Sequence, residues 1–532
     1  MSGDFGLLHN PAMKIILVMV VLSTGLGKVS AEGRLVHPFE QADGFQSRNP
    51  IDVRVLATLR KRGIKPAQLS SDEVFVRRVY LDVIGTLPNF WEVRGFLQDS
   101  RFNKRALLIN DLLKREEFAD YWSLKWCDLL RVKAEFPINL WPNAVQAYHR
   151  WIHDALRDNM SYDQFARELL TSSGSNFRVP QVNFYRAIQG QEPSAIAKAV
   201  GLTFLGVRLE KWPSERRSGM EAFFSRVAYK GTAEWKEEIV YPDPAASEPL
   251  EAVFPDGKKV QIKPGKDPRQ VFAKWLISAK NPWFGRNIVN RIWAWLLGRG
   301  LIHEPDDIRL DIPAVHPKVL AYLEKELVKA DYDLRHIYRL ILNSRTYQQS
   351  SIPRSDHPQA EALFSYYPVR RLDAEVLIDA LCWITGSKES YSSAIPEPFT
   401  FIPEYNRSIN LADGSITSQF LEMFGRPARD TGQVTERNNE PSVKQRLHLL
   451  NSTHVQNKIE RSWRLRRLVN VAKRDRRQSI DEIYLNILSR YPSRNEMATA
   501  ERYFDEKELN SRQAMNDLVW ALINTKEFLY RH

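Results

Sequence analysis

Apolar side chains recur every three or four residues along most of this chain, the spacing that lines one face of an α-helix. Over residues 143–158 the positions are Ala144, Val145, Tyr148, Trp151, Ile152, Ala155 and Leu156. Leu334, Ile337, Tyr338, Ile341 and Leu342 repeat the pattern after Asp333, a residue suited to cap a helix N-terminus. Three pairs have capping-box spacing: Ser70 with Glu73, Ser161 with Gln164, and Ser479 with Glu482. Asp267-Pro268 is a further start signal, and Gly63 and Gly85 stand where helices need a left-handed stop.

Two stretches break the helical period. In residues 238–264, Val240-Tyr241-Pro242-Asp243-Pro244 reads as extended. Ala252-Val253-Phe254 and Val260-Gln261-Ile262 flank Pro255-Asp256-Gly257 as a small hairpin. Residues 387–439 carry several prolines and little periodicity, and are long for a structureless loop. The pattern predicts a mainly α protein of two packed helical domains, 49–230 and 266–532, joined by a β-containing connector over 231–265. No internal repeat is evident.

The N-terminus has a different character. Lys14 precedes the apolar run from Ile15 to Leu22, and the small residues Val29-Ser30-Ala31 follow. This is the layout of a secretory signal peptide over residues 1–31, with Met13-Lys14 as an alternative start and a retained anchor as the competing reading. The expected location is periplasmic or extracellular. The chain of 532 residues is 43% hydrophobic, enough to exclude wholesale disorder. Its two cysteines exclude a disulfide scaffold or a cysteine-rich metal protein. The net charge is +12, and loss of Lys14, Lys28 and Asp4 with the signal leaves +11. In an exported protein that balance points to anionic polysaccharide, cell-wall polymer or lipid headgroups rather than nucleic acid, with envelope proteins as the other expected partners. The densest basic run, 461–477, interleaves Trp463, Leu465, Leu468, Val469 and Val471 with arginines and lysines, as an amphipathic helix with a solvated basic face does.

Few residues carry chemistry by spacing alone. His149 and His153 share a helix face, which can begin a metal site, but no third ligand follows and no metal is expected. His303-Glu304 and Asp306-Asp307 follow Gly298-Arg299-Gly300, either as a carboxylate cluster or as caps and surface charge. Cys127 and Cys382 sit in apolar surroundings as core cysteines. There is no GxSxG, P-loop or dinucleotide fingerprint.

Several strings, taken together, resemble a known family. They include Phe75-Val76-Arg77-Arg78-Val79-Tyr80-Leu81-Asp82, Thr203-Phe204-Leu205-Gly206-Val207 and Val289-Asn290-Arg291-Ile292-Trp293. Later ones are Pro305-Asp306-Asp307, His316-Pro317, Arg370-Arg371-Leu372-Asp373-Ala374-Glu375 and His448-Leu449-Leu450-Asn451. In this order they resemble the planctomycete cytochrome-associated family, built from the domains of unknown function numbered 1549 and 1553. The resemblance spans roughly residues 49–532 and implies a cell-envelope role without naming an activity. Relatives place a Cys-x-x-Cys-His string, the attachment signature of c-type haem, just after the Phe-Leu-Gly segment. Here Val207-Arg208-Leu209-Glu210 runs directly into Lys211-Trp212-Pro213, and the further cysteine positions before Glu436-Arg437 look like Gly432 and Val434. The expectation is therefore no covalent haem.

The family's polar residues that remain are the binding candidates: Asn290, Arg291, Asp306, Asp307, His316, Arg426, Glu436 and Arg437, beside Arg429, Asp430 and Glu440. They stand either as ion pairs and caps that join the two halves, or as the lining of a groove. The expected function is a non-catalytic binding or structural component of the envelope. The alternatives are a polysaccharide hydrolase, in which a pair such as Asp306 and Glu436 converges, and a redox protein holding noncovalent haem through His149 or His153.

Overall fold

The computed structural model describes residues 39–41, 49–309, 311–506 and 509–532, with the backbone of 28–29 and 35–36. Apart from Lys28 and Val29, the signal-like segment lies outside the described residues. Helix accounts for 53% of the chain and strand for 6%, so the fold is mainly α. The two strongest periodic segments form the helices Pro142–Arg157 and Leu334–Leu342, the second capped by Asp333 through the His336 N–H. Asp267 likewise caps Pro268–Leu276. Gly63 and Gly85, at φ of 67° and 61°, follow the helices Pro50–Lys61 and Asp72–Val83.

The three expected capping boxes do not form. Ser71, not Ser70, caps Asp72–Val83, because Ser70 donates its hydroxyl to the Gln348 carbonyl. Ser161 precedes Tyr162–Thr171 without a side-chain cap. Ser479 lies inside Arg476–Leu488, capped by Asp475, and its hydroxyl reaches the Leu468 carbonyl. Reciprocal boxes occur instead at Asn89/Glu92, Ser442/Gln445, Ser493/Glu496 and Asn510/Gln513. Half of these use asparagine, which caps as well as serine.

The connector holds more strand than one hairpin. Leu250–Val253 and Lys259–Ile262 pair antiparallel about the Pro255-Asp256-Gly257 turn, with Leu250 opposite Ile262. Before it, Glu238–Pro242 lies between Val227–Gly231 and the short strand Gly174–Ser175.

One continuous hydrophobic core runs from Ile51 to Phe528 through both halves. At its centre Trp122 and Trp126, on the helix Glu116–Leu129, pack against Trp295 at ring-centre distances of 5.4 and 6.0 Å; Trp122 also meets Tyr338 at 4.5 Å. Buried aromatic pairs of this kind each add about 0.5–1.5 kcal/mol beyond their burial. The halves are also tied by polar bonds. Arg77 donates to the carbonyls of Ile487 (2.6 Å) and Phe528 (2.9 Å), and Arg78 to those of Tyr347, Gln349 and His532. The C-terminal strand Tyr530–Arg531 pairs with Arg370–Arg371. Among the described residues no helix is long and apolar enough to cross a membrane.

Candidate functional site

A buried ionic hub sits where the halves meet. Asp128 comes from Glu116–Leu129, Asp373 and Glu375 from the start of Ala374–Thr385, and Arg426, Arg429 and Arg437 from the irregular stretch 387–439. Arg437 donates to both oxygens of Glu375 (2.7 and 3.0 Å) and to Asp128 (2.7 Å). Arg429 takes the other Asp128 oxygen at 2.9 Å. Asp373 accepts from Lys125 (2.8 Å), Asn439 (2.7 Å), Tyr121 (3.1 Å) and Arg531 (3.3 Å). Arg531 extends the chain to Asp82, which accepts hydroxyl protons from Tyr347 (2.8 Å) and Tyr367 (2.9 Å) and pairs with Arg370.

The hub joins four carboxylates (Asp82, Asp128, Asp373, Glu375) to six cations (Lys125, Arg370, Arg426, Arg429, Arg437, Arg531). The surplus cations end on carbonyl oxygens. Arg426 donates to Ile416 and Asp413, and Arg429 to Ala412. Arg370 donates to Trp295 and Leu296, at the end of the helix Phe284–Leu297, where a cation is favoured by the exposed carbonyls. Burial pushes the Asp373 carboxyl up, but Lys125, Arg531 and Arg437 outweigh it and hold it well below the usual range. Asp128 is treated the same way, burial opposed by Arg437 and Arg429, and is lowered. Held ionised in this way, Asp128 and Asp373 have no proton to donate and are suited to holding backbone segments in place rather than to general acid chemistry.

The sequence candidates divide between this hub and a second anchor. Arg426 and Arg437 belong to the hub. Asn290 clamps Ile302, accepting from its N–H (2.8 Å) and donating to its carbonyl (2.9 Å). Arg291 donates to Asp306 at 2.8 Å and to the Leu202 carbonyl, and the other Asp306 oxygen accepts the Val434 N–H at 2.6 Å. Glu436 accepts the Thr431 N–H in the same turn. Both oxygens of Asp306 are thus engaged in a buried position; Asp306 and Glu436 each hold a separate backbone N–H of the 431–436 turn and make no contact with one another that would form an acid–base pair. Asp307 forms a partly exposed ion pair with Lys211 at 2.5 Å. His316 is buried away from the others, bonded to the Leu363 carbonyl at 3.0 Å. Sequence reasoning missed Asp82, Lys125, Asp128 and Arg531. A carboxylate on an apolar helix face next to Trp126-Cys127 was the available signal for Asp128.

Open cavities lie around the hub. One of about 540 Å³ runs along Pro142–Arg157, lined by Asp120, His149, His153, Phe399, Phe401 and Asp413. Burial and the nearby Arg429 push His149 down to about 3, whereas the hydrogen bond that the His153 imidazole donates to Asp120 at 3.2 Å raises His153. A second cavity, of about 260 Å³, lies between residues 207–210 and 430–433, lined by Arg131, Lys198, Arg208, Glu210, Asp430 and Gln433. The two segments in which the resemblance implies lost cysteines therefore face one space. The cysteines present lie on separate helices, Cys127 on Glu116–Leu129 and Cys382 on Ala374–Thr385. Among the described residues no group of three or more His, Cys, Asp or Glu side chains is placed to hold a metal ion.

Residues 50–210 match the family model PSCyt2, described as a protein of unknown function (DUF1549), and residues 268–504 match PSD1, a protein of unknown function (DUF1553). The chain belongs to the DUF1549–DUF1553 family. No curated protein and no solved structure matches it. The anchors now have a place in that arrangement. In this DUF1549–DUF1553 chain, Asp128 of the first matched region meets Arg429 and Arg437 of the second, and Leu202 of the first meets Arg291 of the second.

Proposed function

We propose that this DUF1549–DUF1553 protein is an exported, non-catalytic binding component of the cell envelope that recognises anionic polysaccharide. The observation that supports this reading is the saturation of its buried carboxylates by cations. Asp128, Asp306, Asp373 and Glu375 are each bonded to a buried arginine or lysine. Glycoside hydrolysis needs one carboxyl poised over the scissile bond as a proton donor, whereas these four are engaged by cations within the protein. The net charge of +12 favours a polyanionic partner. The same reading assigns the chain no covalent haem, since its two cysteines lie on separate helices.

The test is to incubate the full-length protein with insoluble envelope polysaccharide and measure both co-sedimentation and the release of new reducing ends. Retention without release is expected. Release of reducing ends would establish the hydrolase reading, and absence of retention would remove the binding one.

A further inference from the structure

Near the C-terminal end of the Ala374–Thr385 helix, two cavities of about 380 and 440 Å³ share a common wall made by Asn89, Trp383, Trp463 and Arg464. Together they form a groove on either side of the Trp463-Arg464 ridge. Trp463 begins the helix Trp463–Ala472 and is 56% exposed, yet its indole is fixed. Its Nε1 donates to the Gly386 carbonyl at 3.0 Å, and Gly386, at φ 67°, has no side chain to lift the ring. A Cβ there would overlap the indole. The lining of the smaller cavity, of about 380 Å³, includes a second exposed tryptophan, Trp91, at 72%.

A cation stands beside Trp463 in the same wall. Arg464 stacks on Trp383 and Trp463, with its guanidinium carbon 5.1 and 5.4 Å from the ring centres, and donates to the Trp383 carbonyl. Among the described residues it has no carboxylate partner. Arg467 lines the same cavity, paired with Glu482, and the exposed basic residues Arg461, Arg466, Lys473 and Arg474 continue along the helix. A rigid indole offers a flat apolar face to the C–H side of a pyranose ring, and an aromatic-stacked guanidinium offers paired donors to an oxyanion.

We propose that the Trp463-Arg464 groove binds an acidic pyranose polysaccharide, with the sugar ring on Trp463 and its charged group on Arg464. This deepens the proposed function by naming the site and the ligand chemistry, and it rests on that reading. The charged group is a carboxylate or a sulfate ester, which the experiment separates.

Binding of the full-length protein to polygalacturonate, dextran sulfate and uncharged dextran is measured by isothermal titration in low and moderate salt. Polygalacturonate is expected to bind and uncharged dextran not to. Trp463→Ala, Trp91→Ala and Arg464→Gln should each weaken binding about tenfold, the loss usual for a central contact. Trp463 and Trp91 lie at the surface and Arg464 is half-buried, and unchanged thermal unfolding of the variants excludes misfolding as the cause. Dextran sulfate binding with the same dependence on Trp463 and Arg464 assigns the site to sulfated sugars. Polyanion binding that none of the three variants weakens is generic charge attraction and overturns the groove. If the variants also retain wild-type co-sedimentation with envelope polysaccharide, the groove fails while the proposed function stands; if the wild-type protein fails to sediment at all, both fail.

Discussion

Arg437 grips Glu375 with both terminal nitrogens and reaches past it to Asp128, so one guanidinium joins the start of one helix to the end of another. Glu375 is fully buried. Removing one member of a buried ion pair leaves the other charged and unsolvated, at a cost of about 3–5 kcal/mol. Arg437→Gln should therefore lower the unfolding free energy by that order in urea titrations. Arg437→Lys should restore little of it, because an ammonium cannot span both Glu375 oxygens and Asp128. Full recovery with lysine would show that charge alone, not the fork, holds the joint.

Much of this joint was legible only as a list of residue types. Helix periodicity located Pro142–Arg157 and Leu334–Leu342, because an amphipathic stripe is a local property. The hairpin over 250–262 was legible for the same reason, its turn lying between two short apolar runs. Capping was read poorly. Spacing cannot tell whether a serine hydroxyl will be taken by a distant carbonyl, as Ser70 and Ser479 are. The hub was half visible: Arg426 and Arg437 stood out in a charged stretch, whereas Asp128 and Glu375, the partners of Arg437, lie 309 and 62 positions away and nothing in local sequence links them.

Gly425 is the second control point of the same segment. It adopts φ 88°, and a Cβ there would overlap the carbonyl oxygen of Asn438, whose backbone bonds back to Gly425. Because the obstacle is backbone, it cannot rotate away, and residue 438 adjoins Arg437. Gly425→Ala should destabilise the protein by more than the roughly 1 kcal/mol of an ordinary left-handed glycine. Hydrogen exchange should rise across residues 426–440 while the helix Pro142–Arg157 keeps its protection. Uniform loss of protection would mean that the segment is not a separate unit.

His149 and His153 should respond to pH with opposite signs. Folded His149 stays neutral down to about 3, while its unfolded counterpart takes up a proton near 6.5. The unfolded state then binds more protons in that window, so stability falls as pH drops through it, by at most about 1.4 kcal/mol per unit. His153 is raised, chiefly by its bond to Asp120. Its contribution is fully present below the unfolded value and is lost as pH rises through the folded one. Urea titrations at pH 4 to 8 should show His149→Asn flattening the acid slope and His153→Asn removing a gain on the acid side. Parallel profiles for wild type and both variants would refute the assignment.

The Arg291–Asp306 pair tests whether the second anchor acts as a unit. The two side chains are about 1% exposed, and Asp306 also accepts the Val434 N–H, so it fixes the turn that leads into Arg437. Asp306→Ala strands a buried guanidinium, and Arg291→Met strands a buried carboxylate; each should cost about 3–5 kcal/mol. The double variant strands neither charge. It leaves the Val434 N–H without its acceptor, a loss of about 1–3 kcal/mol, together with the space left by the shortened side chain. The double variant should thus be markedly more stable than the sum of the singles requires, with a coupling above about 2 kcal/mol in a cycle measured by urea unfolding. Because Val434 precedes Arg437 by three residues, the cycle repeated on the Arg437→Gln background should also lose part of that coupling. Strict additivity in both backgrounds would mean that the two anchors hold their segments independently, and the joint between the matched regions would then be a set of separate ties.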